Sequence, residues 1–247
     1  MSARVIPFLT IKNGSLVKSI KFKDHKYLGD PINAVRIFNE KEVDEIVIVD
    51  ISRKFEPDYE IIKDIVSEAF VPVAYGGSVS NLAQMKKLFK LGVEKILINS
   101  IAFSKPEIIR EAVSYFGSQS IVVVVDYTKP ILGKYIATIE ANTKKTKYNP
   151  LTACLMAEEM GAGEIILQSI DRDGGMQGYD LETISEIATK LNIPLIPLGG
   201  CGKFEHIVDL IATAKVQALA ASSFFVYHGP YKAVLIKYLS ESEKNQL

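Results

Sequence analysis

Along the chain, short runs of β-branched and aliphatic residues alternate with polar loops and with longer segments whose apolar positions recur every three or four residues. The runs that predict strands are RVIPFL from Arg4, EIVIVD from Glu45, PVAY from Pro72, KILIN from Lys95, IVVVVD from Ile121, EIILQS from Glu164, PLIPL from Pro194 and QALAA from Gln217. They are apolar nearly throughout, without the polar alternation of a half-solvated sheet, which is the signature of parallel strands covered on both faces. Eight strand–helix units in 247 residues predict an α/β fold, a single (β/α)8 TIM barrel domain over residues 1–247. An open parallel sheet is the competing architecture.

An internal repeat favours closure. The stretch AYGGSVSNLAQMKKLFKLGVEKILINS from Ala74 aligns without gaps on PLGGCGKFEHIVDLIATAKVQALAASS from Pro197, 123 residues later. DEIVIVDISR from Asp44 echoes GEIILQSIDR from Gly163 in the same way. The barrel is therefore expected to consist of two similar half-barrels, with equivalent sites on opposite sides of its mouth. Glycine pairs at strand ends let the backbone turn tightly and expose amides that, with a following helix N-terminus, hold phosphate. One such set is Gly76, Gly77, Asn99 and Ser100; the other is Gly174, Gly199, Gly200, Ala221, Ser222 and Ser223. Either pair also works as a plain turn, but their recurrence predicts a phosphorylated small molecule with an anionic group at each end.

Carboxylates at strand ends supply the candidate chemistry. Asp126 ends IVVVVD, so its carboxyl leaves apolar surroundings for the mouth, where burial raises a pKa toward the useful range. Asp50 and Asp173 are candidate substrate-positioning groups, and Asp171 and Asp173 are equally placed to bond loop amides. The position equivalent to Asp126 in the other half is Thr10, whose hydroxyl cannot relay a proton near neutrality as a carboxylate can.

Composition narrows the remaining classes. Lys plus Arg and Asp plus Glu are each 29, so no global field draws the chain to nucleic acid or to a membrane surface. No apolar run approaches the length of a membrane span and no export leader opens the chain, so a cytoplasmic setting is expected. Cys154 and Cys201 lack metal-site or disulfide spacing. His25 and His228 are read as loop residues and His206 as beginning a helix, so neither a metal nor a cofactor is expected.

The motifs RVIPFLTIKNGSLVKS, GGS, GGCGK, SIDRDGGMQGYD and ALAASSFF resemble the cyclase subunit of imidazole glycerol phosphate synthase, the HisF family, from Arg4 to about Tyr238. The resemblance implies a glutaminase partner docked at the N-terminal face, a barrel that conducts its ammonia, and a mouth that adds the ammonia to a bisphosphate. Arg4, Glu45, Lys95 and Glu164 match the family's ammonia gate, a ring of charges at the starts of alternate strands; a stability network on the barrel floor is the alternative reading. Of the family's two catalytic aspartates, Asp126 matches the second while Thr10 replaces the first, and Lys18 matches the loop lysine. The loop from Lys12 to Asp30 departs from the family pattern; Lys21, Lys23 and Lys26 in it either meet an anionic substrate or belong to a solvated mobile loop.

These departures are similar to a diverged group that serves surface-polysaccharide (lipopolysaccharide) synthesis, where a separate amidotransferase forms an amidino group on a sugar. Three expectations stand: an ammonia-channelling synthase with an altered reaction, an authentic cyclase of histidine biosynthesis, or a non-catalytic conduit that activates the glutaminase.

Overall fold

Side-chain parity along the apolar runs decides what each strand can do. The computed structural model describes residues 3–130 and 133–247. In chain order the strands are β1 (Arg4–Lys12), β2 (Ser15–Ile20), β3 (Lys23–Gly29), β4 (Ile46–Asp50), β5 (Val73–Gly76), β6 (Lys95–Ile98) and β7 (Ile121–Thr128). They continue with β8 (Ile136–Ile139), β9 (Lys144–Lys145), β10 (Glu164–Ser169), β11 (Leu195–Leu198) and β12 (Ala218–Ala221). Parallel pairing runs β11-β10-β7-β6-β5-β4-β1, then β1 pairs with β12, and β12 lies alongside β11, closing the barrel. All eight apolar runs are thus barrel strands.

Alternate residues separate into two apolar clusters, as a period of two requires. Ile46, Ile48, Ile96, Val123, Ile165 and Leu219 face outward into the layer of helices. Ile6, Phe8, Val47, Ala74, Leu97, Val122, Val124, Ile166, Ile196, Leu198, Ala218 and Ala220 fill the barrel interior. That interior is side chains in contact, not an open pore.

The outer helices include α1 (Pro31–Glu40), α2 (Tyr59–Glu68), α3 (Leu82–Lys90), α4 (Ser100–Ser104) and α5 (Glu107–Phe116). They continue with α6 (Pro150–Glu159), α7 (Leu181–Ala188), α8 (Phe204–Ala214) and α9 (Ser223–Val226). Helices α1 and α6 start alike in the two halves. Asp30 and Asn149 cap them by accepting backbone N–H bonds, and each is followed by a proline whose missing N–H costs nothing at that position. The repeat predicted from sequence is visible, since β5, α3 and β6 shifted by 123 residues fall within a residue of β11, α8 and β12.

The structure corrects three expectations. Lys12–Asp30 is no mobile loop but an antiparallel extension in which β2 pairs with the overhanging end of β1 and β3 pairs with β2. Its turn is Asn13–Gly14, with φ of 50° and 77°, a dipeptide suited to the twist of a tight hairpin. His25 lies in β3, and His228 lies in a short strand, β13 (Tyr227–His228), rather than in loops. The charged floor residues stand at the starts of the first, second, fourth and sixth barrel strands, Glu45 just before its strand, and not on alternate strands throughout. No helix among the described residues is long and apolar enough to cross a membrane.

Candidate active site

The barrel floor is a closed circuit of ion pairs. Arg4 binds Glu45 at 2.9 Å and also binds Glu164; Lys95 Nζ binds Glu45 at 2.8 Å and Glu164 at 2.9 Å. Each acid therefore lies between two bases. Burial pushes the Glu45 carboxyl above its usual range, and Lys95 and Arg4 draw it back. Such buried charges are tolerable only when mutually paired.

Above the ring the interior side chains carry no charge and no hydrogen-bonding group. Polar side chains return at the other end of the same inward rows. Parity carries Arg4, Ile6, Phe8 and Thr10 up β1, and Glu164, Ile166 and Gln168 up β10; Val122 and Val124 lead to Asp126 on β7. A cavity of about 1030 Å³ opens there, lined among others by Thr10, Lys18, Gly76, Gly77, Asn99, Ser100, Asp126, Gln168, Asp173 and Ser222.

Asp126 is the cavity's most perturbed acid. Its pKa is pushed up to about 7, first by burial and then by the Asp173 carboxylate, while the bond from Asn99 works in the opposite direction. Oδ2 accepts from Asn99 Nδ2 at 3.3 Å, whereas Oδ1 has no partner. A buried carboxyl with one free oxygen and a pKa near neutrality can both take and give a proton. Opposite it, Lys18 is buried with its ammonium 2.7 Å from Asp173. Ser19 also donates to Asp173, and the backbone N–H of Lys21 donates to the Asp173 carbonyl. These bonds fasten the β2–β3 hairpin to the loop after β10.

Several candidate residues lie elsewhere. Asp50 shares the outward parity of Ile46 and Ile48, is absent from the cavity lining, and accepts from the backbone N–H of Ser52 at 2.8 Å, so it holds the loop after β4. Asp171 accepts from Thr128 Oγ1 at 2.8 Å and from the Lys129 N–H at 2.7 Å. Gly77 lines the cavity at φ 123°, and a Cβ there would run into the Asp50 carbonyl. Of the other glycine set only Ser222 lines the cavity. A Cβ on Gly200 would strike the Gly178 carbonyl, so that glycine makes room for the loop after β10. Gly174 likewise backs onto Ser19 and Ile20, while Gly199 sits against the Ser169 carbonyl and Ala221 points into the outer core.

Sequence reasoning missed that Asn99 orients Asp126. The amide donates to Val124 O at 2.9 Å as well as to the carboxylate, a long-range pairing that no local pattern announces. It also missed Arg53, Lys54 and Phe55 in the cavity lining, although the exposed RKF run directly after a barrel strand was a usable signal.

A closed parallel barrel with a paired-charge floor, an apolar interior and a near-neutral carboxyl at the strand C-termini defines a barrel enzyme that works at its upper rim. The chain belongs to the family described as histidine biosynthesis protein, which matches residues 4–231, and within it to the HisF type. It is 43% identical to a Leptospira interrogans protein provisionally named imidazole glycerol phosphate synthase subunit HisF, over 100% of this chain and 99% of that one. It is 45% identical to a Pseudomonas aeruginosa protein provisionally named imidazole glycerol phosphate synthase subunit hisF2, over 95% of each. Identity to the imidazole glycerol phosphate synthase subunit HisF of Alkaliphilus metalliredigens is 34%, over 92% of each chain.

Proposed function

We propose that this barrel is the synthase half of a glutamine amidotransferase. A separate glutaminase docks against its N-terminal face, and the released ammonia enters between Arg4, Glu45, Lys95 and Glu164. It crosses the apolar interior and meets an anionic acceptor beside Asp126. The observation that carries this reading is the closed four-charge ring below an uncharged interior that leads to that one carboxyl. Neutral ammonia crosses such an interior as breathing side chains make room, whereas ammonium would lose its hydration without replacement.

The docking face has its own support. Phe70, 87% exposed, stands in the turn between α2 and β5 on the same side as the ring, and Asn39 braces that turn through both Phe70 N–H and the Glu68 carbonyl. A second cavity of about 630 Å³ opens on this side between the ends of α7 and α8. An anchored aromatic on one side of this face and a recess on the other give a protein partner two features to grip. At the mouth, one anionic group of the acceptor is held by Gly76, Gly77, Asn99 and Ser100. The other is held by backbone around Gly174, Gly199, Gly200, Ala221 and Ser222, of which Ser222 reaches the cavity. The setting is cytoplasmic, which suits the two free, buried thiols Cys154 and Cys201.

The reaction is altered from cyclisation. With Thr10 lining the cavity opposite Asp126's half, acid–base work falls to Asp126 alone, with Lys18 and Asp173 fixing the hairpin beside it. The acceptor belongs to amidino-sugar synthesis, and a separate sugar amidotransferase completes it. Identity of 42–45% to relatives with provisional names, two of them numbered hisF2 and hisF3, against 34% and 35% to two relatives named HisF without that qualification, supports a diverged role. Purified barrel supplied with ammonium salt and the histidine-pathway bisphosphate is expected to make no imidazole product; brisk turnover would overturn the altered reaction. The second reading, an authentic cyclase, is favoured by similarity over more than nine-tenths of HisF proteins and by the retained Lys18 and Asp126. Under it, Thr10→Asp changes the rate little, because another group already does that work.

A further inference from the structure

The Asn99–Asp126 bond is the inner end of a chain of hydrogen bonds that starts at the rim. The turn after β8 brings the Glu140 backbone N–H to Ser100 Oγ at 3.1 Å. The Ser100 hydroxyl donates to Asn99 Oδ1 at 3.1 Å, and Asn99 Nδ2 donates to Asp126 Oδ2 at 3.3 Å. All three donors point inward, so each bond polarises the next. A serine hydroxyl has a single proton. With the Glu140 N–H on its oxygen, that proton goes to Asn99 Oδ1, which turns the amide's NH2 toward the carboxylate.

The turn needs an anchor of this kind. Glu140, Ala141 and Asn142 hold φ of 55°, 54° and 67° in succession, a left-handed run without glycine. Residues rarely stay there unless the surroundings hold them. Beside the β8–β9 pairing that flanks the turn and the exposed Lys144–Glu140 ion pair, the holds are the Ser100 bond and two bonds to the Glu140 carbonyl, from Thr143 Oγ1 at 2.7 Å and Thr143 N–H at 3.3 Å. Ala141 and Thr143 both line the cavity.

We propose that Ser100 is a positioning residue: its hydroxyl ties the strained turn after β8 to the Asn99 amide, so that seating the turn over the mouth and orienting Asp126 are one event. Ser100 acts through Asn99 and does not touch the carboxyl. The charged group facing Asp126 is Asp173, itself paired with Lys18; the neighbours of Asp126 on the adjoining strands, Gln168 and Thr138, are uncharged.

The test uses the full chain in phosphate-free buffer and needs neither substrate nor partner, so its outcome is separate from that of the amidotransferase reading. Hydrogen exchange reports the Glu140 amide, and the infrared carboxyl band absent from Asp126→Asn reports the Asp126 titration. In Ser100→Ala the Glu140 amide is expected to exchange at least about tenfold faster. The Asp126 midpoint should rise by about one pH unit as the bond to its charged form weakens. Ser100→Thr should restore both. Thr143→Ala loosens the turn from its other side and should move both readouts in the same direction. Faster exchange at Glu140 with an unmoved Asp126 midpoint, in either alanine variant, would overturn the coupling.

Discussion

Asp126→Asn should yield a barrel that transfers nitrogen about 10²–10⁴ times more slowly yet resists unfolding better than the parent above neutral pH. Both effects come from one environment. Asparagine keeps the shape of the side chain but cannot carry a proton to or from the acceptor. A barrel that merely conducts ammonia would keep its full rate in the glutaminase complex, so the rate separates catalyst from conduit.

The stability effect follows from the direction of the pKa. Below the ordinary aspartate value of 3.8 the group is protonated in both the folded and the unfolded chain, and the folded state suffers no penalty for it. As pH rises from 3.8 toward about 7, the unfolded chain releases its proton while the buried carboxyl keeps it. Stability contributed by this site then falls by about 1.4 kcal/mol per pH unit, about 4 kcal/mol in all. Above about 7 the loss is complete. The asparagine of the variant has no such dependence, so the gap between variant and parent in urea midpoint should widen from acid to neutral pH and then level off. Parallel curves would mean that Asp126 is hydrated and ordinary.

Asp173→Asn should have the second large effect, a loss of about 3 kcal/mol, because it leaves the Lys18 ammonium buried without its counter-charge. For a chain of this size that lowers Tm by roughly 6–12 °C in a calorimetric scan. The same change removes a negative charge that faces Asp126, so the Asp126 midpoint should move down while the fold weakens. A variant with unchanged Tm and unchanged midpoint would show that Lys18 reaches water instead of Asp173.

The eight barrel strands were legible because burial on both faces leaves long aliphatic runs that few other structures need. The repeat was legible too, and it put glycine pairs, Thr10 and Asp126 at related strand ends before any geometry was known. What such runs conceal is parity. In IVIVD nothing says which alternate residue looks inward, and Asp50 falls on the helix side beside Ile46 and Ile48. The hairpins escaped for a different reason. Strand β3 is largely solvated and lysine-rich, so it has the composition of a loop; only Asn13–Gly14 announced it, and that dipeptide was read only within the family motif RVIPFLTIKNGSLVKS. The pairing of Asn99 with Asp126, and of Lys18 with Asp173 across 155 residues, depends on barrel closure and has no local signature. The charge ring lies between these cases: resemblance pointed to its members, and geometry supplied the alternation that pairs each acid with two bases.

The most direct test of the whole account is isotope competition in the reconstituted barrel–glutaminase complex. Glutamine labelled with 15N at its side-chain amide is supplied together with an excess of unlabelled ammonium, a metabolite extract serves as the source of acceptor, and the aminated product is weighed by mass spectrometry. Passage from the ring through the barrel to Asp126 predicts a product dominated by 15N whatever the ammonium outside. A product carrying the isotope ratio of the bulk solution would contradict it, since the nitrogen would then have arrived through the mouth.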